Sequence, residues 1–431
     1  MLPPDHPLRL ELADEVHARP PELLATPTRA SYLALLVDAD SRALEHQHLA
    51  RLCAQYEVAP PAPGITQFSA RFGELRLKWE RHGEFSGWTL FTAGDAGAPF
   101  GEPASALLPA GWLAQLPGQT VVAAHADLRA AAASDTDPAW VAGCFGGQGI
   151  VGAGLGGGAG EAYTDFRIHA DGHARFLLLD RGFSPRQAGR MLQRLFEIEA
   201  YRMLALLALP IAREQASRIV AIEKSLVELT AGMAGERGSD ESLLQELTRL
   251  AAEVESALAA SQFRFGACRA YADLVRRRIT ELRESRIGGI QTLDEFMARR
   301  FTPAVATCAT VSQRLHDLSE RVAQASGLLA TRVGIARERQ NQALLASMDR
   351  RAKLQLRLQQ TVEGLSVAAI VYYVVGLVGY LAKAAKAGGV AVDPELTVGA
   401  AIPLVGLVVM LAVRRARRHV RDDEGSEPRP H

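Results

Sequence analysis

The chain has 431 residues, 48% of them apolar, and its 48 basic and 48 acidic side chains leave a formal net charge of zero. That balance excludes a general electrostatic attraction to nucleic acid, and the length leaves room for two or three structural units. The four cysteines, Cys53, Cys144, Cys268 and Cys308, are scattered without C-x-x-C spacing. This pattern argues against a structural zinc site or a disulfide framework and fits a reducing compartment.

The N-terminus, MLPPDHPLRLELADE, has proline and acids where a signal peptide needs a basic start and an apolar core. The body of the protein is therefore expected in the cytoplasm. In DHPLRLELADEVHARPPE, Asp14 and His17 could share a helical face near His6 and Arg19. Two ligands do not make a metal site, so the segment reads as an arm packed on a domain and ended by Pro20-Pro21. Ser31 to Val37 predicts a strand and Ser41 to Tyr56 a helix, on which the i, i+2 pair His46 and His48 reads as solvated surface. Phe68 to Trp79, Gly87 to Thr92 and Thr120 to Ala126 predict further strands.

Gly147 to Gly152, GQGIVG, fits G-x-G-x-x-G, but GAGLGGGAG follows and cannot open a helix. A mobile loop between strands is the expectation for residues 146–160, not a dinucleotide site. Asp165 to His169 and His173 to Asp180 flank Asp171-Gly172, a strong hairpin signal. An α+β domain over residues 1–183 follows. It contains no nucleophile–base set, so no enzyme, cofactor or metal is expected.

Ser184-Pro185-Arg186-Gln187 opens a helix with a serine N-cap, a first-turn proline and a capping-box glutamine. Its apolar spacing runs to Leu229, with a kink expected at Pro210. After GMAGERGSDES a second helix is expected from Leu243 to Arg286, stopped by Gly288-Gly289. Thr292 and Glu295 make another capping box, for a short helix to Arg300. From Pro303 the helical pattern (Val311, Leu315, Leu318, Val322 and onward to Met348) runs without a stop through Ala382. At about 1.5 Å per residue that is on the order of 120 Å of helix. Such a helix cannot bury its stripe alone and needs either the Leu243–Arg286 helix or copies of itself, so residues 184–361 are expected to form a coiled-coil-like stalk, with homo-oligomerisation inferred.

Leu365 to Ala382 and Leu396 to Val413 are each 18 residues without a charge, near the lower limit for crossing a hydrocarbon core of roughly 30 Å. Arg350, Arg351, Lys353 and Arg357 precede the first run. Arg414, Arg415, Arg417 and Arg418 follow the second, while the loop near 383–395 has only Lys383 and Lys386, with Asp393 and Glu395. The positive-inside rule then puts both termini in the cytoplasm. Residues 362–413 read as a transmembrane hairpin, followed at 414–431 by a basic and then disordered tail.

Three segments, HPLR…DEVHARPPE, TDFRIHADG and LLASMDRRAKLQLRLQQTVEGLSVAAIVYYVVGLVGYLAKA, together resemble one family spanning nearly the whole chain. It is the domain of unknown function 3422 family of membrane-anchored bacterial proteins, and the resemblance implies an inner-membrane, multi-pass location but no activity. The order of parts also resembles the CorA family of magnesium channels: a cytoplasmic α/β domain, a long helix into the first span, a short outer loop, a second span and a basic tail. Gly376-Leu377-Val378-Gly379 stands at the end of the first run, and Asp393-Pro394-Glu395-Leu396 before the second, where that family carries G-x-x-G-M-N and M-P-E-L. Tyr380 and Leu381 replace the methionine and the ion-selecting asparagine, and Leu381 cannot hold a hydrated magnesium ion.

That likeness implies an oligomer that passes or senses cations, with divalent cations and membrane lipid as partners. One helical stripe (Leu358, Thr361, Leu365, Ala369, Tyr372, Gly376 and Gly379) would line a pore or a helix interface, and Asp393 and Glu395 would attract cations at the outer loop. The alternative is a tethered scaffold that presents the N-terminal domain to a protein partner without transport.

Overall fold

The structure, a computed structural model, describes residues 3–10, 12–13, 20–94, 96–132, 137–147, 149–234, 239–389 and 391–423, with side chains described as far as 415. The expected arm residues Asp14, His17 and Arg19 lie outside the described residues, as does Gln148 of the glycine-rich motif. The chain divides into two compact units, residues 1–329 and 330–431.

Unit 1 is mixed α/β, built on a nine-stranded sheet with the order β2-β3-β4-β1-β5-β8-β7-β6-β9. Its strands are β1 (Thr28–Leu36), β2 (Gln67–Phe72), β3 (Leu75–Arg81), β4 (Phe85–Ala93), β5 (Gln119–Ala130), β6 (Val151–Leu155), β7 (Gly160–Thr164), β8 (Ala174–Asp180) and β9 (Ser285–Arg286). Neighbours are antiparallel except β5 and β8, which run parallel with Ala124 opposite Ala174. The expected strand Phe68–Trp79 is a hairpin, because Gly73 takes a positive φ of 64° between β2 and β3. The turn at Asp171-Gly172 is present, with the Gly172 N–H on His169 O at 2.9 Å. The paired strands are β7 and β8, however, and Asp165–His169 form an irregular connection in which Phe166 has φ 52° and the His169 N–H donates to His173 O at 3.0 Å.

The glycine-rich run is corrected from a loop to sheet. Residues 151–155 and 160–164 pair as β6 and β7 around a turn at Gly156–Gly158. Its glycines admit close neighbours: a Cβ on Gly152 would overlap the Tyr163 ring, and one on Gly160 the Phe183 ring. Small side chains there serve packing rather than mobility.

Each sheet face has its own cover. On one lie α1 (Ala39–Gln55) and α2 (Pro138–Cys144). Under α1, Leu33, Leu77, Trp79, Trp88 and Leu90 pack with Leu49, Leu52 and Cys53. Glu45, with no exposed surface, sits among them. It accepts from Trp79 Nε1 at 3.0 Å, Trp88 Nε1 at 3.2 Å and Ser86 Oγ at 2.9 Å. Burial pushes its carboxyl above the ordinary carboxylate value, against those three hydrogen bonds. His48 is also corrected: only 3% of it is exposed, and its ring packs on Trp112 with Nε2 3.0 Å from Trp112 O. Residues 45, 48, 49 and 52 recur at helical spacing and share α1's inner face.

The other face packs on α3 (Pro185–Leu206), and one core contains Phe176 and Leu178 of β8 with Leu192, Leu195 and Phe196 of α3. Sheet and helices thus share apolar packing across position 183. The Ser184 capping box with Gln187 is formed. The break expected at Pro210 falls earlier, at Leu207, so α4 (Ala208–Ala234) carries the proline in its first turn, where its missing N–H is not needed. α5 (Asp240–Leu282) ends before the glycines, because Arg283 turns left-handed at φ 51° and Ser285–Arg286 join the sheet as β9. α6 (Leu293–Arg300) starts at the Thr292–Glu295 capping box. α7 (Thr302–Ala387) then runs unbroken.

Unit 2 comprises the rest of α7 and α8 (Pro394–Asp423), which contains Pro403. The first helix continues through the expected loop to Ala387, leaving 388–393 as the connection. Both helices are long and apolar enough to cross a membrane by length and composition, and only 6% of each apolar window is buried.

Candidate functional site

The stripe expected along α7 lies on one unbroken helix. Leu358, Thr361, Leu365, Ala369, Tyr372 and Gly376 are exposed in the single chain. Gly379 is half-buried, and a Cβ there would stand 3.0 Å from Val398 Cγ2. The covered face of the hairpin is instead formed around Val375, Ala382 and Ala401, each no more than 9% exposed. Small residues let the two helices approach.

Asp393 and Glu395 belong to the start of α8. Asp393 Oδ1 accepts the Glu395 N–H at 3.0 Å, and Asp393 O accepts the Thr397 hydroxyl at 2.8 Å. Asp393 is thus a helix N-cap with Pro394 at the first helical position and Glu395 in the first turn, where a carboxylate suits the helix dipole. Arg350, Arg351, Arg414 and Arg415 are exposed, and the side chains of Arg417 and Arg418 lie outside the described set.

The chemically richest concavity is one no sequence motif marks. In unit 1 a cavity of about 290 Å³ lies between the polar face of β1, β3 and β4 and the helices α3 and α5. Register builds its floor: Lys78 stands opposite Thr89, Thr89 opposite Tyr32, and Glu80 opposite Gly87. Alternation sends Leu77, Trp79, Trp88 and Leu90 to the α1 side and these polar groups to the α3 side. Gly87 makes room for Tyr32, whose ring lies 3.4 Å from the place of a Cβ and stacks on Phe196 with centroids 4.9 Å apart.

From α3, Gln193 and Glu197 reach the cavity, and Arg278 from α5 closes one side. The segment 20–24 closes another. Leu24 donates its N–H to Pro185 O at 3.1 Å, and the Glu22 carbonyl lies so close to α3 that a Cβ on Gly189 would overlap it. Only glycine fits at that crossing.

The charges are mostly committed to one another. Glu22 accepts from Ser69 Oγ at 2.8 Å and pairs with Arg76 at 2.7 Å. Arg278 pairs with Glu197 and, at 3.1 Å, with Glu281. Lys78 Nζ donates to Pro20 O at 3.0 Å and stands 3.0 Å from Glu80 Oε1. That last approach is an ion pair off the hydrogen-bond direction, so buried Glu80 Oε1 has no hydrogen-bond donor. Burial first, and then Tyr201, Glu80 and Glu197, push the Tyr32 hydroxyl well above the usual phenol range.

A second polar cluster joins His125, Asp171 and His173, whose ligand atoms lie within 4.8 Å of one another. The imidazoles stack nearly parallel with centroids 3.9 Å apart. Their lone pairs lie in the ring planes, so rings held this way do not aim at one point about 2.0 Å from each nitrogen. His125 Nδ1 meets Ser31 Oγ at 2.9 Å, and His173 Nδ1 meets Asp171 O at 2.8 Å. Burial, with the neighbouring His173 next, drives His125 down to about 3, so it stays neutral. The cluster reads as packing over β5 and β8.

Sequence reasoning missed the cavity because LRLKWER has the alternation of a strand with one face in water. The only local hint was Gly87 within FSGWTLFTA, where glycine weakens a strand unless something approaches closely.

The model of the family described as protein of unknown function (DUF3422) matches residues 4–420, and the chain belongs to that family. No curated protein and no solved structure matches it.

Proposed function

We propose that this chain is an integral protein of the bacterial inner membrane that self-associates and holds residues 1–329 in the cytoplasm as a binding domain. The observation that carries this reading is the bare apolar surface of the hairpin. Tyr372, Tyr380, Leu381, Leu396 and Leu404 are each at least 66% exposed, and water opposes so large a contiguous apolar surface. Hydrocarbon removes that cost. The basic residues Arg350, Arg351, Arg414 and Arg415 support an orientation with both ends cytoplasmic. On α7, Leu344, Met348, Leu354, Leu358, Val362 and Leu365 recur at helical spacing and are each at least 56% exposed. A second copy of the same helix is the partner that fits this stripe.

The test is alkaline carbonate extraction with flotation on lipid vesicles. The proposed protein floats and stays with the membrane; release into the carbonate supernatant would sink the reading. Cross-linking in detergent checks self-association.

Cation conduction in a CorA-like oligomer is a second reading, favoured by the stripe from Leu358 to Gly376 that α8 leaves uncovered. Against it stand Leu381 and the helix-starting work of Asp393. Flux of divalent cations into proteoliposomes, reduced by Asp393→Asn with Glu395→Gln, would support it. A confirmed oligomer that passes no cation would leave the anchor alone.

A further inference from the structure

We propose that the cavity beneath α3 binds one small neutral polyol, a monosaccharide or cyclitol, through the Tyr32 and Thr89 hydroxyls and the Gln193 amide oxygen. This gives the cytoplasmic binding domain a ligand class. The cavity lies wholly within residues 1–329, so the proposal stands apart from the membrane anchor, which flotation tests separately.

The walls first exclude a charged ligand. Each carboxylate, amine and guanidinium lining the space already has a partner of opposite sign: Glu22 has Arg76, Glu80 has Lys78 and Glu197 has Arg278. Lys78 is also held by Pro20 O at 3.0 Å, and Arg278 by Glu281 at 3.1 Å. A charged ligand would either leave water without a free counter-charge or break one of these pairs, and both are costly.

What remains uncommitted is neutral. Tyr32 and Thr89 stand opposite each other on β1 and β4, are 7% and 6% exposed, and both line the cavity. Among the described residues neither hydroxyl meets a hydrogen-bond partner, and neither oxygen is sealed off from the space. The third group is Gln193, whose Nε2 donates to Glu197 Oε1 at 2.7 Å and leaves its own Oε1 as an acceptor without a donor. Burial, then Tyr201, Glu80 and Glu197, keep the Tyr32 phenol protonated, so its O–H is a donor. Tyr32 therefore needs an acceptor, Gln193 a donor, and Thr89 accepts either. A ligand hydroxyl supplies both, whereas an ammonium only donates and a ketone only accepts. Several hydroxyls on one frame serve all three groups. Phe85, Phe91, Phe196 and Tyr201 give that frame an aromatic lining suited to the C–H faces of a saturated ring. The volume of about 290 Å³ sits at the lower edge of small-molecule sites, which suits one such ring and excludes a nucleotide.

The experiment is calorimetric titration of the full-length protein in a detergent without a sugar headgroup. The neutral probes are D-glucose, D-galactose, D-mannose and myo-inositol. D-glucuronate, and D-glucosamine at a pH that keeps its amine charged, are rings of the same size carrying one charge. The expected result is saturable one-to-one binding of at least one neutral probe, with both charged rings about tenfold weaker or more. Tyr32→Phe and Thr89→Val each remove one hydroxyl at nearly constant volume and should weaken the bound probe about fivefold or more. Because neither hydroxyl has a partner within the fold, both variants should melt no lower than the wild type. The wild-type ranking stands without the variants should they fail to fold. No neutral probe binding at millimolar concentration, a charged ring binding as tightly, or unchanged affinity in both variants would each overturn the proposal.

Discussion

Beneath α3, Lys78 and Glu80 are 6% and 9% exposed, whereas on the hairpin Tyr372 and Leu381 are 76% and 68% exposed. Unit 1 encloses charge, and unit 2 leaves hydrocarbon bare. Soluble proteins rarely do either, and the two departures have different remedies. Enclosed charge is tolerated when each group finds a counter-charge or donor, as the chain of Arg76, Glu22, Lys78, Glu80, Glu197 and Arg278 nearly achieves. Bare hydrocarbon cannot be remedied by rearranging one chain and needs a different solvent or a second copy. The comparison therefore separates what unit 1 does by its own contacts from what unit 2 requires of its surroundings.

The strongest way to break the first half is at Glu45, the buried carboxylate on the opposite face. Glu45→Ala leaves two indole donors and one hydroxyl without an acceptor. Unsatisfied groups cost about 1–3 kcal/mol each, so the expected loss is roughly 3 kcal/mol or more in denaturant unfolding followed by tryptophan fluorescence. A loss below ~1 kcal/mol would mean that this face does not depend on the carboxylate.

The matching test of the second half is Leu404→Arg in α8, where the leucine is 66% exposed. In water an exposed substitution changes stability by about 0.5 kcal/mol or less. In a bilayer an arginine at mid-helix costs about 2.5–3.5 kcal/mol, which should appear as lost membrane insertion. The size of the effect thus reports which solvent surrounds the hairpin.

Gly189→Ala probes the crossing of the 20–24 segment over α3. The added Cβ overlaps the Glu22 carbonyl, so a loss of about 1–3 kcal/mol is expected in a thermal melt, typical of overpacking.

The smallest expected effect is a pH dependence at Glu284, which accepts the Asp294 N–H at 3.1 Å. Burial, opposed by that backbone hydrogen bond, pushes its carboxyl up to about 7 from an ordinary 4.5. The folded state therefore holds a proton that the unfolded state has released. Its stabilising contribution is complete below pH 4.5 and lost as pH rises through about 7. With allowance for its partial exposure the change is on the order of 1 kcal/mol. Glu284→Gln should flatten the stability profile across that window, and an unchanged profile would refute the assignment.

Much of the scaffold was legible because its signals are local. The Ser184–Gln187 and Thr292–Glu295 boxes each need only four residues to declare a helix start. The short apolar run SYLALLV and the Asp171-Gly172 turn mark sheet in the same way. The apolar helices declare themselves by length and composition. What was hidden depends on partners distant in sequence. Lys78 and Glu80 read as a solvent face until α3, more than 100 residues later, is laid over them. His48 looks polar until Trp112 stacks on it, and the glycines of 152–160 look mobile until Tyr163 and Phe183 fill the space beside them. Asp393 is a different case: the resemblance read it as an ion-attracting acid, and the local geometry adds that it caps α8.

The central claim is that the bare hairpin lies in a membrane with both of its ends on the cytoplasmic side. Cysteine labelling with a membrane-impermeant maleimide in bacterial spheroplasts tests this most directly, using Ala391→Cys in the connection and Ala343→Cys on α7. The account predicts that the Ala391→Cys protein is labelled in intact spheroplasts and the Ala343→Cys protein only after lysis. Labelling of both only after lysis, with the protein in the soluble fraction, would contradict it.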